Sequence, residues 1–322
     1  MNNKIKWGIL STANIAVEQL IPAIRKSSNG EVYAIASSSG RAADAAHSLQ
    51  IPVAYDSYEQ LLADPYIDAV YIPLPNNMHY EWTIKAAKAN KHVLCEKPAA
   101  LEVGQLEDMI SACKENGVLF MEGFMYRFHP QHQKVKDLLA EKAIGNIKMV
   151  RACFSFYMED REGNIRLNPE LGGGALYDIG SYCVNSINNI LGTEPLSIEV
   201  TAEMNQDGVD TTASAALFYP GNIHATLMCS FDAVMKNEYE IIGSNGSIRV
   251  PHSYRPDLNS GVGIVELTQE NEYRKFTIYG DQYLLEVEHF ADCVINNKKP
   301  VYSGESSLMN LKVVKSLIER IK

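Results

Sequence analysis

Apolar positions in the first third of the chain fall alternately into short continuous runs and helical repeats. Ile5 to Leu10 reads as a strand buried on both faces, and Ile15 to Lys26 repeats its apolar residues Ile15, Leu20, Ala23 and Ile24 at helical spacing. The alternation continues through a strand at Val32 to Ala36, helices at Ala42 to Leu49 and Ser57 to Ala63, and a strand at Asp68 to Ile72. A helix at His79 to Asn90, a strand around Lys91-His92-Val93-Leu94, a helix from Leu101 to Asn116 capped by Gly117 and a strand at Val118 to Met121 complete it. Strands and helices in alternation predict a parallel, doubly wound sheet.

Beyond Glu122 the pattern changes. A helix is expected at His129 to Ala140 and a strand at Ile147 to Phe156. Seven more strands are expected at Leu196 to Ala202, Thr211 to Phe218, Asn222 to Ser230, Asn237 to Ile242, Ser247 to Val250, Gly263 to Leu267 and Tyr273 to Ile278. Turn signals such as Pro220-Gly221 and Ser244-Asn245-Gly246 separate them, as in an open, mostly antiparallel sheet. Helices at Tyr283 to Asn296 and Glu305 to Ile321 close the chain. Two domains are therefore expected, 1–122 and 123–322, with the last helix free to pack back on the first.

The 322 residues are 46% hydrophobic and 21% charged, as in a folded globular protein. A formal net charge of −10 argues against a nucleic-acid partner, whose phosphates are held by clustered Lys and Arg. The six cysteines are scattered, without a CxxC pair or metal-finger spacing, so reduced thiols and no metal are expected. Met1-Asn2-Asn3-Lys4 leads into an apolar run too short for a signal peptide or a membrane span, and a cytoplasmic location follows as the expectation.

Candidate chemistry lies beyond the carboxyl ends of the first-domain strands, where open α/β sheets bind ligands. The turn after Leu10 reads Ser11-Thr12-Ala13-Asn14-Ile15. Ser11, Ala13 and Ala16 stand where a dinucleotide fingerprint has glycines, so the turn is either a pyrophosphate cradle or an ordinary strand-to-helix turn. After the second strand, Ser37, Ser38 and Arg41 offer hydroxyls and a cation of the kind that hold a 2′-phosphate, which favours NADP over NAD. Leu74-Pro75-Asn76 and His79, at the start of a helix, form a further edge for ribose or phosphate. Lys97, between Glu96 and Pro98, is out of place as packing and is read as the reactive centre. In the second domain Gly172-Gly173-Gly174 precede a helix on which Asp178 and Tyr182, four residues apart, share a face. Pattern alone also allows a glycine hinge with a surface polar pair.

Glu96-Lys97-Pro98, the segment Glu122-Gly123-Phe124-Met125-Tyr126-Arg127-Phe128-His129-Pro130 and the run from Gly172 to Tyr182 together resemble the Gfo/Idh/MocA oxidoreductases. The resemblance spans nearly the whole chain, and is strongest to the branch with dihydrodiol dehydrogenase, glucose–fructose oxidoreductase and xylose dehydrogenases. It implies a dinucleotide-binding Rossmann domain, a substrate-binding and oligomerisation domain, and nicotinamide held near Lys97. It also implies Lys97 as catalytic lysine, Asp178 as the carboxylate that orients substrate, and Tyr182 in the acid–base place. Glu96 would line the cofactor, and Arg127 and Arg166 are substrate candidates. The implied reaction moves a hydride between nicotinamide and a secondary alcohol or ketone of a sugar, cyclic polyol or vicinal diol. A homodimer or homotetramer formed through the second sheet is expected. The rival reading is a non-catalytic nucleotide-binding regulator of the same fold, against which the set Lys97, Asp178 and Tyr182 argues.

Overall fold

Strand β1 (Ile5–Leu10) carries Trp7, Ile9 and Leu10 with no solvent exposure, as a strand covered on both faces requires. A computed structural model describes residues 4–321; Met1-Asn2-Asn3, the lead-in considered above, lie outside the described residues. The chain divides into two compact units, one made of the residues up to Phe124 together with Tyr283–Leu308, the other of Met125–Gln282 and the residues from Met309 on.

In the first unit β1 is joined by β2 (Gly30–Ala36), β3 (Val53–Tyr55), β4 (Ala69–Ile72), β5 (His92–Glu96) and β6 (Phe120–Gly123) in the order β3-β2-β1-β4-β5-β6. Every neighbouring pair is parallel. This is the doubly wound arrangement, whose order reverses between β1 and β4 and opens a crevice there. The edge strand β3 has only three residues and none fully buried, so it left no periodic signal to read. The helix Gln282–Asn296 follows the second domain's strands in sequence, yet nearly all of it counts with the first unit. The reason is packing: Phe290 lies 5.0 Å, ring to ring, from Trp7, and Ser28 donates its N–H and hydroxyl to Glu288 at 2.9 Å. Burying two large aromatics is worth about 1.5–3 kcal/mol each.

In the second unit an eight-stranded sheet is built from β7 (Ile147–Tyr157), β8 (Ser197–Met204), β9 (Asp210–Tyr219), β10 (Ile223–Ser230), β11 (Asp232–Gly243), β12 (Gly246–Val250), β13 (Val262–Gln269) and β14 (Glu272–Tyr279). Its order is β14-β13-β12-β11-β7-β10-β9-β8. All pairs are antiparallel except β7 with β10, which run parallel because β7 enters the sheet's middle long before its neighbours. On β7, Val150, Ala152 and Phe154 are buried and the intervening Met149, Arg151 and Cys153 are not, which is the alternation of a sheet covered on one face. The helix Ser181–Leu191 lies on the covered face. Among the described residues no helix is long and apolar enough to cross a membrane.

Two glycines test this packing in opposite directions. A Cβ on Gly243 would overlap the main-chain carbonyl of Ile144, whereas one on Gly104, in the helix Val103–Glu115, would meet nothing within 4 Å. Gly243→Ala is expected to destabilise by about 1–3 kcal/mol and Gly104→Ala to stabilise by about 0.5–1 kcal/mol. Urea midpoints that move in the same direction would contradict one of the two assignments.

Candidate active site

The first unit gathers its candidates along the carboxyl edge of the parallel sheet. After β1, Ser11 has φ of 146°, a conformation that favours glycine and costs a side chain about 1–3 kcal/mol. Its hydroxyl accepts the Ala13 N–H at 3.0 Å, and Ala13 O accepts from Ala16 and Val17 to start the following helix, Asn14 and Ile15 forming its first residues. Ala16 has no exposure, so the place of the third glycine is used for close helix–sheet packing. Thr12 Oγ1 is buried with no hydrogen-bond partner. An orphaned hydroxyl in a tight turn of small residues fits a phosphate group.

At the end of β2, Ser37 and Ser39 hydroxyls lie 2.9 Å apart, Arg41 Nε donates to Ser39 Oγ at 2.9 Å, and the Ser38 hydroxyl lies 3.4 Å from Tyr58 Oη. Ser37 is buried and Ser38 and Arg41 are exposed, so the cluster presents its cation to solvent. Beyond β4, Leu74 is buried and Pro75-Asn76 turn the chain into the helix His79–Lys88. His79 corrects the sequence reading of a direct ligand donor. It has no exposure, and its ring nitrogens meet Leu74 O and Pro98 O, each at 2.8 Å. It therefore ties the Leu74 loop to the Lys97 turn, and burial holds it below the ordinary imidazole range.

Lys97 follows β5 and is joined to Pro98 by a cis peptide bond. Two acids fix the turn. Glu96 accepts from Tyr71 Oη at 2.5 Å and from the Lys97 N–H at 3.3 Å. Glu122, at the end of β6, accepts the Ala99 N–H at 2.8 Å and the Tyr302 hydroxyl at 3.1 Å. Glu122 is 4% exposed, and burial pushes its carboxyl up to about 7 against the opposing hydrogen bond from Ala99. Neither role for Glu122 nor its partner Tyr302 was visible in sequence, since an acid between two strand residues and a tyrosine far along the chain carry no spacing signal.

In the second unit the glycine run delivers Asp178 and Tyr182. A Cβ at Gly173 would sit 2.6 Å from Arg166 O, and Gly174 N–H donates to that same carbonyl at 2.9 Å. The bare backbone thus brings Arg166 against the helix start. Arg166 Nε donates to Asp178 Oδ2 at 2.6 Å, and the Asp178 carboxylate, with Tyr182 adding to it, keeps the guanidinium above its ordinary range. The residues from Leu176 to Gly180 form a π-helical turn that continues as Ser181–Leu191, a local widening often found at functional sites. Tyr182 is 5% exposed. Its ring packs on Phe154, Tyr254 and Tyr126 at 5.3, 5.6 and 5.8 Å, and its hydroxyl lies 3.4 Å from Met125 Sδ. A thioether is a weak acceptor, so this contact orients the hydroxyl without holding it strongly. Arg127, on the short 3-10 turn Met125–Phe128, reaches that helix further along, with Nη2 donating to Asn189 Oδ1 at 2.7 Å and Nη1 facing Asn185 Oδ1 at 3.5 Å.

Comparison with known proteins follows from this geometry. Residues 5–124 match the family model described as "Oxidoreductase family, NAD-binding Rossmann fold", and residues 132–249 match the "GFO/IDH/MocA C-terminal domain". D-xylose 1-dehydrogenase (NADP(+)) 2 of Haloferax volcanii is 36% identical, over 97% of this chain and 96% of its own. The chain belongs to the Gfo/Idh/MocA family. Trans-1,2-dihydrobenzene-1,2-diol dehydrogenase of Xenopus laevis is 32% identical over 98% of both chains. A 3-ketoreductase from Actinomadura kijaniata, solved with NADP and TDP-benzene, is 30% identical with a TM-score of 0.92, over 99% of this chain and 98% of that one. As a Gfo/Idh/MocA protein the chain is a dehydrogenase or reductase with an NAD(P)-binding domain, and the Rossmann-plus-open-sheet fold read from sequence holds.

Glu122 makes the folded state of this family member sensitive to pH. Its carboxyl titrates near about 7 when folded and near about 4.3 when unfolded. The folded state therefore binds the extra proton between those values, and that contribution to stability is complete below pH of about 4.3 and lost as pH rises to about 7. Glu122→Gln should gain stability relative to wild type as pH goes from 5 to 8, read from urea unfolding at each pH. A difference that stays constant over that range would show Glu122 to be ionised throughout.

Proposed function

We propose that the chain catalyses reversible, NADP(H)-linked oxidation of a secondary alcohol on a sugar, cyclic polyol or vicinal diol. The observation that carries this reading is the assembly on one glycine-started helix of Tyr182, Asp178 and the Arg166 guanidinium. The names of the relatives, which act on D-xylose and on a dihydrodiol or are 3-ketoreductases, support the class of substrate.

The cofactor, when bound, supplies the hydride chemistry. Ser11, Thr12, Ala13, Asn14 and Ile15 would hold its pyrophosphate, Leu74, Pro75 and Asn76 its ribose, and Glu96 and Lys97 its reactive end. Ser37, Ser38 and Arg41 would read the 2′-phosphate, which makes NADP the preferred partner over NAD. Toward the substrate, Tyr182 would exchange the hydroxyl proton, Lys97 would hold the substrate oxygen, and Asp178 would accept from a neighbouring substrate hydroxyl. The ion pair with Arg166 fixes the orientation of the Asp178 carboxylate. Arg166 is partly exposed and remains a substrate contact in this reading, whereas Arg127, held by Asn185 and Asn189, acts by fixing the helix.

The uncovered sheet face, with Met149 at 41% and Met228 at 56% exposure, supports a homodimer or homotetramer formed through that sheet. All six cysteines are free thiols, which suits a cytoplasmic enzyme.

Turnover measured by nicotinamide absorbance across sugars, inositols and vicinal diols tests the activity. Tyr182→Phe should lose about 10²–10⁴-fold in kcat with cofactor affinity intact. Near-normal turnover in that variant would move the proton role to Lys97. Arg41→Ala should weaken NADP about 10–100-fold while leaving NAD unchanged, as loss of a charge-assisted phosphate contact predicts. Equal effects on the two dinucleotides would remove Arg41 from 2′-phosphate recognition.

A further inference from the structure

The helix that carries Asp178 and Tyr182 begins without a cap of its own. Ala175 stands at the cap position and offers no hydrogen-bonding side chain, and Gly173 and Gly174 before it have none to offer. The first N–H groups of a helix lack intrahelical partners and must find them elsewhere when buried. Asp210, the first residue of β9, meets that need from another part of the sheet. It is 5% exposed, its Oδ2 accepts the Leu176 N–H at 2.7 Å, and the Ala175 N–H also bonds to it. A Cβ at Gly174, whose φ is 124°, would overlap Asp210 Oδ1, so the glycine is needed for the carboxylate to enter. A negative charge at this end also complements the helix dipole.

We propose that Asp210 is a positioning residue for the reaction: by capping the helix from β9 it sets where the helix begins and hence where Asp178 and Tyr182 stand. The proposal rests on the dehydrogenase reading above. Its physical basis is the shortness of the lever. Asp178 is the third residue of the π-helical turn whose first residue is Leu176, and Tyr182 follows in the next turn. A shift of the helix start by one residue would rotate both side chains by about 100°. The turn is also π-helical, a rare local widening of the kind that accompanies functional sites. Gly174 N–H holds Arg166 O, so the same cap steadies the backbone of the arginine that pairs with Asp178.

The test compares Asp210→Ala with Asp210→Asn, which keeps an acceptor oxygen. For each, kcat, KM, the pH profile of kcat, cofactor affinity, and amide hydrogen exchange in the 172–182 segment are measured well below the melting temperature. Asp210→Ala is expected to lower kcat by about 10–100-fold, as a displacement of about 1 Å does, to distort the pH profile, and to speed exchange in that segment at least about 10-fold, with cofactor affinity unchanged. Asp210→Asn should recover most of the exchange protection and most of kcat. A folded Asp210→Ala protein with wild-type kcat, pH profile and exchange overturns the proposal, and so does an Asp210→Asn protein as impaired as Asp210→Ala. If Asp210→Ala does not fold, Gly174→Ala, whose methyl displaces the carboxylate, carries the same expectation, and wild-type turnover in it overturns the proposal. Should the wild type turn over no alcohol or ketone at all, the dehydrogenase reading fails by itself and the exchange arm alone decides the role of Asp210.

Discussion

Buried backbone N–H groups must be satisfied, and the places where elements end are where that is hardest. Three of the segments that carry candidate residues begin at such a place, and in each of the three a side chain supplies the missing acceptor. Ser11 serves Ala13, Glu122 serves Ala99 beyond Lys97-Pro98, and Asp210 serves Leu176 ahead of Asp178 and Tyr182. In each case a side chain from outside the turn or from its first residue holds the backbone beside a candidate residue.

The acids that do this in the first unit form a connected group. Glu96 and Glu122 stand at the ends of adjacent parallel strands, and Glu286, on the helix Gln282–Asn296, is 2% exposed. Burial first, and the charge of Glu96 second, hold Glu286 well above the carboxylate range. Glu96 accepts from Tyr71 and from the Lys97 N–H. Three carboxyls can be packed behind a strand end only if they do not all ionise together.

The second unit solves a different problem, that of holding a phenol inside an aromatic bed. Tyr182 is walled by Phe154, Tyr254 and Tyr126, which remove water and fix the ring. The hydroxyls around it are engaged elsewhere, Tyr126 with Asn185 at 2.7 Å and Tyr254 with Ser186 at 2.9 Å. The Tyr182 hydroxyl lies 3.4 Å from the Met125 thioether, and Tyr182 adds to the field that holds the Arg166 guanidinium above its ordinary range.

Hydrophobic periodicity by itself determined the alternation of strands and helices before Glu122, the strand-rich remainder and the two closing helices, because burial on one face or two writes a period into the chain. It also placed Lys97 at a strand end and Asp178 and Tyr182 on one helix, since both depend only on local geometry. The three-residue β3, the parallel pairing of β7 with β10 and the return of the helix Gln282–Asn296 to the first unit were decided by contacts between distant segments, which leave no periodic trace. The same holds at the site: His79 as a strut, Arg166 against Asp178, Glu122 under Ala99 and Asp210 at the helix start are each a pairing of residues far apart in sequence. Local sequence decides which residues can do chemistry, and the tertiary structure decides which side chains hold them still, because a hydrogen bond is specified by position in space and not by spacing along the chain.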